Sequence, residues 1–181
     1  HSAVLDALGA VDDIVGVCES RYIKVPAINE GIRSGLIKDL GEATSPNVER
    51  MIEIGTEVVL ASPFDHGSYG PVEKIGIPII ECADYMETDP LGRAEWIKFI
   101  GLLTGRNECA DSLFRRTESN YLRIKALVEN VTYRPRLMTG KKYGAPWYVP
   151  SGESFMARIY KDAGADYLFS YLSGTGSTPM S

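Results

Sequence analysis

"SPNVERMIEIGTEVVLASPFDHGSYGPVEKIGIPIIE", residues 45–81, decides how the rest of the chain is read. Ser45-Pro46 puts a capping hydroxyl before a first-turn proline, which predicts a helix with Val48, Met51, Ile52 and Ile54 on its apolar face. Val58 to Ala61 is a short continuous apolar run and predicts a strand. Val72 to Ile75 reads as a short helix ending at Gly76, and Ile77 to Ile80 as a second strand, with Pro78 marking a sheet edge or a strand start. Short apolar strands alternating with helices are the pattern of a parallel sheet covered on both faces.

Outward from that stretch the same grammar continues. Ala3 to Leu8 reads as a helix closed by Gly9, and residues 14–18 as a buried strand. Residues 26–44 are expected to be mostly irregular. Asp89-Pro90 opens a strong helix that Gly105 closes, and Asn107 caps the next. That helix carries Ala110, Leu113, Phe114, Thr117, Tyr121, Ile124 and Val128 in one stripe, with Lys125 and Glu129 as an i,i+4 pair. It is expected to run about 24 residues, ~36 Å, long enough to join two lobes. The alternation then restarts: a strand at Arg136 to Thr139, a loop from Gly140 to Ser151, a helix from Glu153 to Ala163 and a strand from Asp166 to Leu172. The fold class is therefore α/β, with two Rossmann-like lobes of mostly parallel sheet. The expected divisions are an N-terminal lobe at 1–106, an inter-lobe helix at 107–131 and a partial C-terminal lobe at 132–181.

Composition bounds the function. The chain has 181 residues, 44% hydrophobic and 24% charged, with a net charge of −5. No Lys/Arg block suggests nucleic-acid binding. No apolar run approaches the ~20 residues of a membrane span. Cys18, Cys82 and Cys109 have no metal-ligand spacing, so no metal site and no cofactor are expected; a Cys18–Cys82 disulfide stays open.

In open parallel sheets ligands bind beyond the carboxyl ends of the strands. Those positions hold Arg21, Tyr22 and Lys24, then Ser62, Phe64, Asp65, His66 and Tyr69, then Asp84 and Tyr85. In the second lobe they hold Tyr143, Trp147, Tyr148 and Tyr171. Rings with a few cations suit a large, flat anion or metal chelate. Single loop aromatics usually anchor loops; the argument rests on their recurrence. Ser62 beside Asp65-His66 invites a small α/β hydrolase reading, but adjacent residues rarely form the base–carboxylate pair of a triad, and no G-x-S-x-G elbow is present. No catalytic residue is assigned. The run from Gly174 to Thr178 lacks the lysine of a phosphate loop, and Glu153 would repel an anion at its helix start. Glu49, on its own, offsets a helix dipole.

"SPNVERMIEIGTEVVLAS" resembles the helix–strand signature of the class III periplasmic substrate-binding proteins of ABC importers, where Pro-Asn-Leu-Glu precedes a leucine-rich stretch and Pro-Asp-Leu-Val-Ile. "EKIGIPIIE", "ADYMETDPLGRAEWIKFIGLLTG" and "PWYVPSGESFMARIYKDAGADYLF" are similar to the segments that follow, most like the iron-compound branch. The resemblance covers nearly the whole chain. It implies a non-enzymatic periplasmic or extracytoplasmic protein, lipid-anchored in some full-length forms. Such a protein holds a ferric siderophore between lobes and delivers it to an ABC permease. Cobalamin or haem is the alternative cargo, with Tyr69, Tyr85 or Tyr148 able to ligate haem iron. A scaffold module that kept the fold without the ligand is a third reading. On this resemblance the ligand-binding residues are Arg21, Tyr22, Phe64, His66, Tyr69, Tyr85, Trp147 and Tyr148, and Glu49 docks the permease. The turn at Ile54-Gly55-Thr56-Glu57 departs from the family's usual Leu-Lys-Pro-Asp. Family members also carry an opening strand and further second-lobe elements, so the chain reads as a fragment whose open sheet edges favour self-association.

Overall fold

The computed structural model describes residues 1–63, 68–142 and 144–180. The chain divides into two compact units, His1–Ala83 with Ile100–Cys109, and Asp84–Phe99 with Ala110–Ser181.

In the first unit, helix α1 (Ser2–Ala7) leads through Gly9, at φ +68°, toward strand β1 (Gly16–Val17). Residues 26–44 are not irregular as expected. They form helix α2 (Pro26–Ser34), strand β2 (Lys38–Asp39) and strand β3 (Gly41–Glu42). Pro26 at the first turn and Gly35 in the left-handed region frame α2, and only Ile28 and Gly31 on it are buried. The sequence reading missed signals that are local: a first-turn proline, Ile28 and Ile32 at i,i+4 on one face, and a glycine stop. β2 pairs parallel with β1, Gly16 opposite Lys38.

Ser45-Pro46 does not cap the next helix. It forms strand β4 (Ser45–Pro46), antiparallel to β3. Asn47 caps helix α3 (Val48–Glu53) instead, its Oδ1 accepting from Arg50 N–H at 2.9 Å. The cap lies closer to the apolar stripe than the proline suggested, and Asn is among the strongest N-caps. Strands β5 (Val59–Ala61) and β6 (Ile79–Glu81) pair parallel, with a 3-10 turn at Gly70–Ile75 between them. Leu40, Met51 and Val72 form a buried cluster on which Cys18, Ile54, Val59 and Ile79 pack. Both strand pairs thus rest on one layer made by α3 and the 3-10 turn. Cys18 is a thiol, so the Cys18–Cys82 bridge does not form.

Helix α4 (Pro90–Leu103) and helix α5 (Asn107–Leu127) are each shared between the units along the chain. Asp89 caps α4, its Oδ1 accepting from the N–H groups of Leu91 and Gly92. α5 has 21 residues. It ends before Glu129, so Lys125 pairs with Asp162 at 3.0 Å and not with Glu129.

The second unit contains strand β7 (Arg136–Leu137), strand β8 (Lys141–Lys142), strand β9 (Trp147–Pro150), helix α6 (Phe155–Asp162), strand β10 (Asp166–Tyr167) and strand β11 (Ser177–Met180). β7 and β10 are parallel, the third parallel pair of this α/β fold. β11, β9 and β8 form an antiparallel sheet in that order. This sheet replaces two expected loops, 140–151 and 173–178. Aromatic and β-branched side chains in Trp147-Tyr148-Val149 favour a pleated strand. Pro179 is tolerated because β11 is an edge. Ser154 caps α6, its Oγ accepting from Ala157 N–H.

Candidate functional site

In the first unit β1 and β2 run parallel and end at Val17 and Asp39. Just past β1, Glu19 adopts φ 54°, the one non-glycine positive φ among the described residues. Its N–H donates to Gly41 O at 2.8 Å. Arg21 donates to Glu19 at 3.0 Å and to Glu42 at 3.2 Å, and its guanidinium lies 4.9 Å from the Tyr22 ring centroid. Ser20 Oγ donates to Asp39 Oδ2, and Gly41 N–H to Asp39 Oδ1. These two bonds, Ser20 first, hold the Asp39 carboxyl below its ordinary range. Burial, with Asp39 and Glu19 nearby, pushes the Cys18 thiol up. Arg50 of α3 donates to the Asp39 carbonyl at 3.1 Å.

Tyr69 joins the ends of the other parallel pair. Its hydroxyl donates to Glu81 Oε1, at the end of β6, at 2.8 Å and approaches Ser62 O, just past β5, at 3.3 Å. Tyr22 is exposed. Phe64 and His66, and with them Asp65 and Tyr143, lie outside the described residues.

In the second unit the antiparallel sheet has two unlike faces. Pleating sends alternate residues to opposite sides. Trp147 and Val149 face inward: Val149 is fully buried, and the Trp147 ring meets Phe169 edge-on at 5.4 Å. Phe169 continues to Tyr167 at 5.8 Å and Tyr167 to Tyr160 at 5.2 Å. Burial, then the neighbouring Tyr160, pushes the Tyr167 hydroxyl up; it donates to Pro150 O at 2.6 Å. Trp147 therefore belongs to an aromatic core and is not a loop ring.

The other face carries Lys141, Tyr148 and Pro179 in register across three strands, then Pro150 opposite Ser177. Lys141, Tyr148, Pro150 and Ser177, with Thr139 and Gly140, line a cleft of about 510 Å³. It offers an ammonium, a ring, and the hydroxyls of Thr139 and Ser177. The sequence reading found Tyr148 but missed Lys141, Thr139 and Ser177, because it took both flanking segments for loops. The signal was the Lys-Lys pair seven residues before Tyr148, which only hairpin pairing brings alongside. A second cleft of about 540 Å³ lies between α4 and α5. Its lining is acidic on balance, Asp89, Glu95, Asp111 and Glu118 against Lys98 and Arg115, and Lys98 pairs with Glu95 at 2.9 Å and stacks 4.0 Å over Phe114.

Glycine-rich residues 174–178 make no phosphate cradle. Ser177 and Thr178 are in β11, Ser151 Oγ and Thr178 Oγ1 share a hydrogen bond at 2.7 Å, and Glu153 accepts from Gly174 N–H. Tyr85 is half-exposed on a 3-10 turn at Asp84–Met86. Glu49 is exposed in the first turn of α3. Charge is unevenly spread: the first unit holds 14 Asp and Glu against 7 Lys and Arg, a balance of −7, and the second 10 against 12, a balance of +2. Among the described residues no group of three or more His, Cys, Asp and Glu could hold a metal ion, and no helix is long and apolar enough to cross a membrane.

Residues 1–179 match the family model described as periplasmic binding protein, and the chain belongs to that family. Its members are transport components and not enzymes, which leaves the hydrolase reading of Ser62, Asp65 and His66 without support. An uncharacterized lipoprotein of Methanocaldococcus jannaschii is 32% identical over 158 residues, covering 84% of this chain and 37% of that protein. The chain spans about a third of the length of the curated relatives it matches. The fold is similar to that of the periplasmic heme binding protein HutB of Vibrio cholerae, with TM-score 0.75, 18% identity, and 99% of this chain covered against 66% of that one. It is also similar to the triscatecholate siderophore binding protein FeuA of Bacillus subtilis, with TM-score 0.70, 16% identity, and coverage of 98% and 60%.

Proposed function

We propose that this chain is the ligand-binding part of an extracytoplasmic, lipid-anchored component of an ABC importer, and that it takes an intact ferric siderophore. The observation that carries the reading is the outward face of the β8–β9–β11 sheet. Lys141 and Tyr148 are direct cross-strand neighbours there, beside the hydroxyls of Thr139 and Ser177. A cation beside a ring suits the aryl or carboxylate groups of an iron chelate. The donor set suits a chelate more than bare iron, which would call for a cluster of hard anionic ligands. The proposal extends to Arg21, Tyr22 and Tyr69 at the strand ends of the first unit and to Tyr85 in the second, while Trp147 supports the cleft from the core side and does not touch the ligand. α5 serves as the stiff connector along the chain, and Glu49 on α3 as the permease contact.

Haem or cobalamin is the second reading. It is supported by the fold shared with a haem-binding protein and by tyrosines able to ligate haem iron. The test is equilibrium titration with haem, cobalamin and a panel of ferric siderophores. A Soret band shift identifies haem; saturable quenching by one ferric chelate supports the first reading. Failure of every compound to bind would contradict both.

A further inference from the structure

Arg21 is the cation at the carboxyl end of β1, yet it is already occupied. It bridges Glu19 at 3.0 Å and Glu42 at 3.2 Å, two carboxylates against one guanidinium. The side chains of the bridge are more than half exposed at Arg21 and Glu42, but the backbone brings the three residues together. Glu19 stands in the left-handed region, which is unfavourable for a non-glycine residue, and its N–H is tied to Gly41 O. The β3–β4 hairpin brings Glu42 from 21 residues away in sequence to the same guanidinium. Asp39, beneath them, has its carboxylate satisfied by Ser20 and Gly41, so it does not compete for Arg21.

We propose that Glu19 and Glu42 are specificity-determining residues that mask Arg21. They set a net negative charge at this strand end and disfavour a highly anionic chelate relative to an uncharged one of the same metal. The inference rests on the functional reading above, and it gives that reading a charge preference. An anionic ligand must displace two internal carboxylates before it reaches Arg21. An uncharged ligand uses the Tyr22 ring and the polar rim without breaking the bridge.

The masking is local and does not follow from net charge alone. An acid elsewhere on the first unit would repel the same ligand through water, weakly and with full salt screening. Glu42 acts through Arg21, so its effect requires Arg21 to be present. A double-mutant cycle separates the two cases.

The probes are a ferric triscatecholate, a trianion, and a ferric trihydroxamate with an uncharged core, each titrated into the wild-type chain and into E42Q, R21A and the double variant. E42Q lies on an exposed hairpin strand, so the fold tolerates it. The expected result is about a tenfold gain in triscatecholate affinity in E42Q, less than about twofold change for the trihydroxamate, and loss of most of the gain when R21A is also present. Saturable binding with both affinities unchanged in E42Q, or shifted alike, overturns the inference and leaves the functional reading standing. A gain that persists undiminished in the R21A background also overturns it. Failure of both probes to bind any variant overturns the functional reading and this inference together.

Discussion

The Tyr121 hydroxyl donates to Asp162 Oδ2 at 2.7 Å, joining α5 to the end of α6 inside the second unit. Asp162 is nearly buried, and it also accepts from Lys125 at 3.0 Å and Arg158 at 3.4 Å. Burial alone would raise its carboxyl. The bonds from Tyr121 and Lys125 and the two cationic charges outweigh that and hold it low. Burial, then the bond to Asp162, pushes the Tyr121 phenol up.

Asp162→Asn removes the charge that both cations face. The expected loss is about 2–4 kcal/mol in the second unit's unfolding free energy, read by denaturant titration. Because the folded carboxyl titrates below its unfolded value, this stabilisation is full above the ordinary carboxylate range. It disappears as pH falls through the folded value, so wild type and variant converge below pH ~4. Tyr121 works in the opposite sense: its raised value means stability falls as pH rises past about 10.

Gly152 and Gly140 are fixed by close approach. A Cβ on Gly152 would lie 2.1 Å from Ser170 O, which is backbone and cannot swing away. Gly152→Ala is expected to cost about 2–4 kcal/mol. A Cβ on Gly140 would lie 2.2 Å from Trp147 Nε1. Gly140→Ala must displace the indole from Phe169, and a shift in tryptophan emission reads that displacement.

Asn47 and Ser45 make a paired test of the α3 cap. Asn47→Ala frees the Arg50 N–H and is expected to cost about 1 kcal/mol, whereas Ser45→Ala is expected to stay within about 0.5 kcal/mol. Equal losses would restore the serine as the cap.

These residues also show what a sequence discloses. The apolar runs Val58 to Ala61 and Ile77 to Ile80, which become the strands Val59–Ala61 and Ile79–Glu81, the Asp89-Pro90 start and the glycine stops were legible because each is a local signal. The β8–β9–β11 sheet was not, because its strands are polar or proline-bearing, and β9 is held between a short hairpin partner, β8, and β11, about 30 residues further on. The site divided the same way. Arg21, Tyr22 and Tyr69 could be placed at strand ends by counting. Lys141 could not be set beside Tyr148 without the register. The inward turn of Trp147 follows from pleating, and pleating could not be applied to a segment read as a loop.

Glu49→Ala tests docking apart from binding. It removes an exposed acid from the first turn of α3, so stability should fall by at most about 1 kcal/mol. Ligand affinity should be unchanged, while stimulation of the cognate permease's ATPase by the loaded protein should drop about tenfold. Unimpaired stimulation would return Glu49 to a helix-dipole role.

The open strand edges carry a further expectation. Among the described residues β1 pairs only with β2, and β5 only with β6. Such edges favour pairing between chains. Sedimentation of this chain should show concentration-dependent association; a strictly monomeric chain at high concentration would contradict it.

The most direct test of the central claim is a fluorescence titration with a ferric siderophore of the wild-type chain, Lys141→Ala and Tyr148→Ala. Trp147 packs behind the cleft face and reports a bound chromophore by quenching. The account predicts saturable quenching in the wild type and at least about a tenfold weaker affinity in each variant, with the fold retained. Quenching that neither substitution weakens would place the ligand elsewhere and contradict the account.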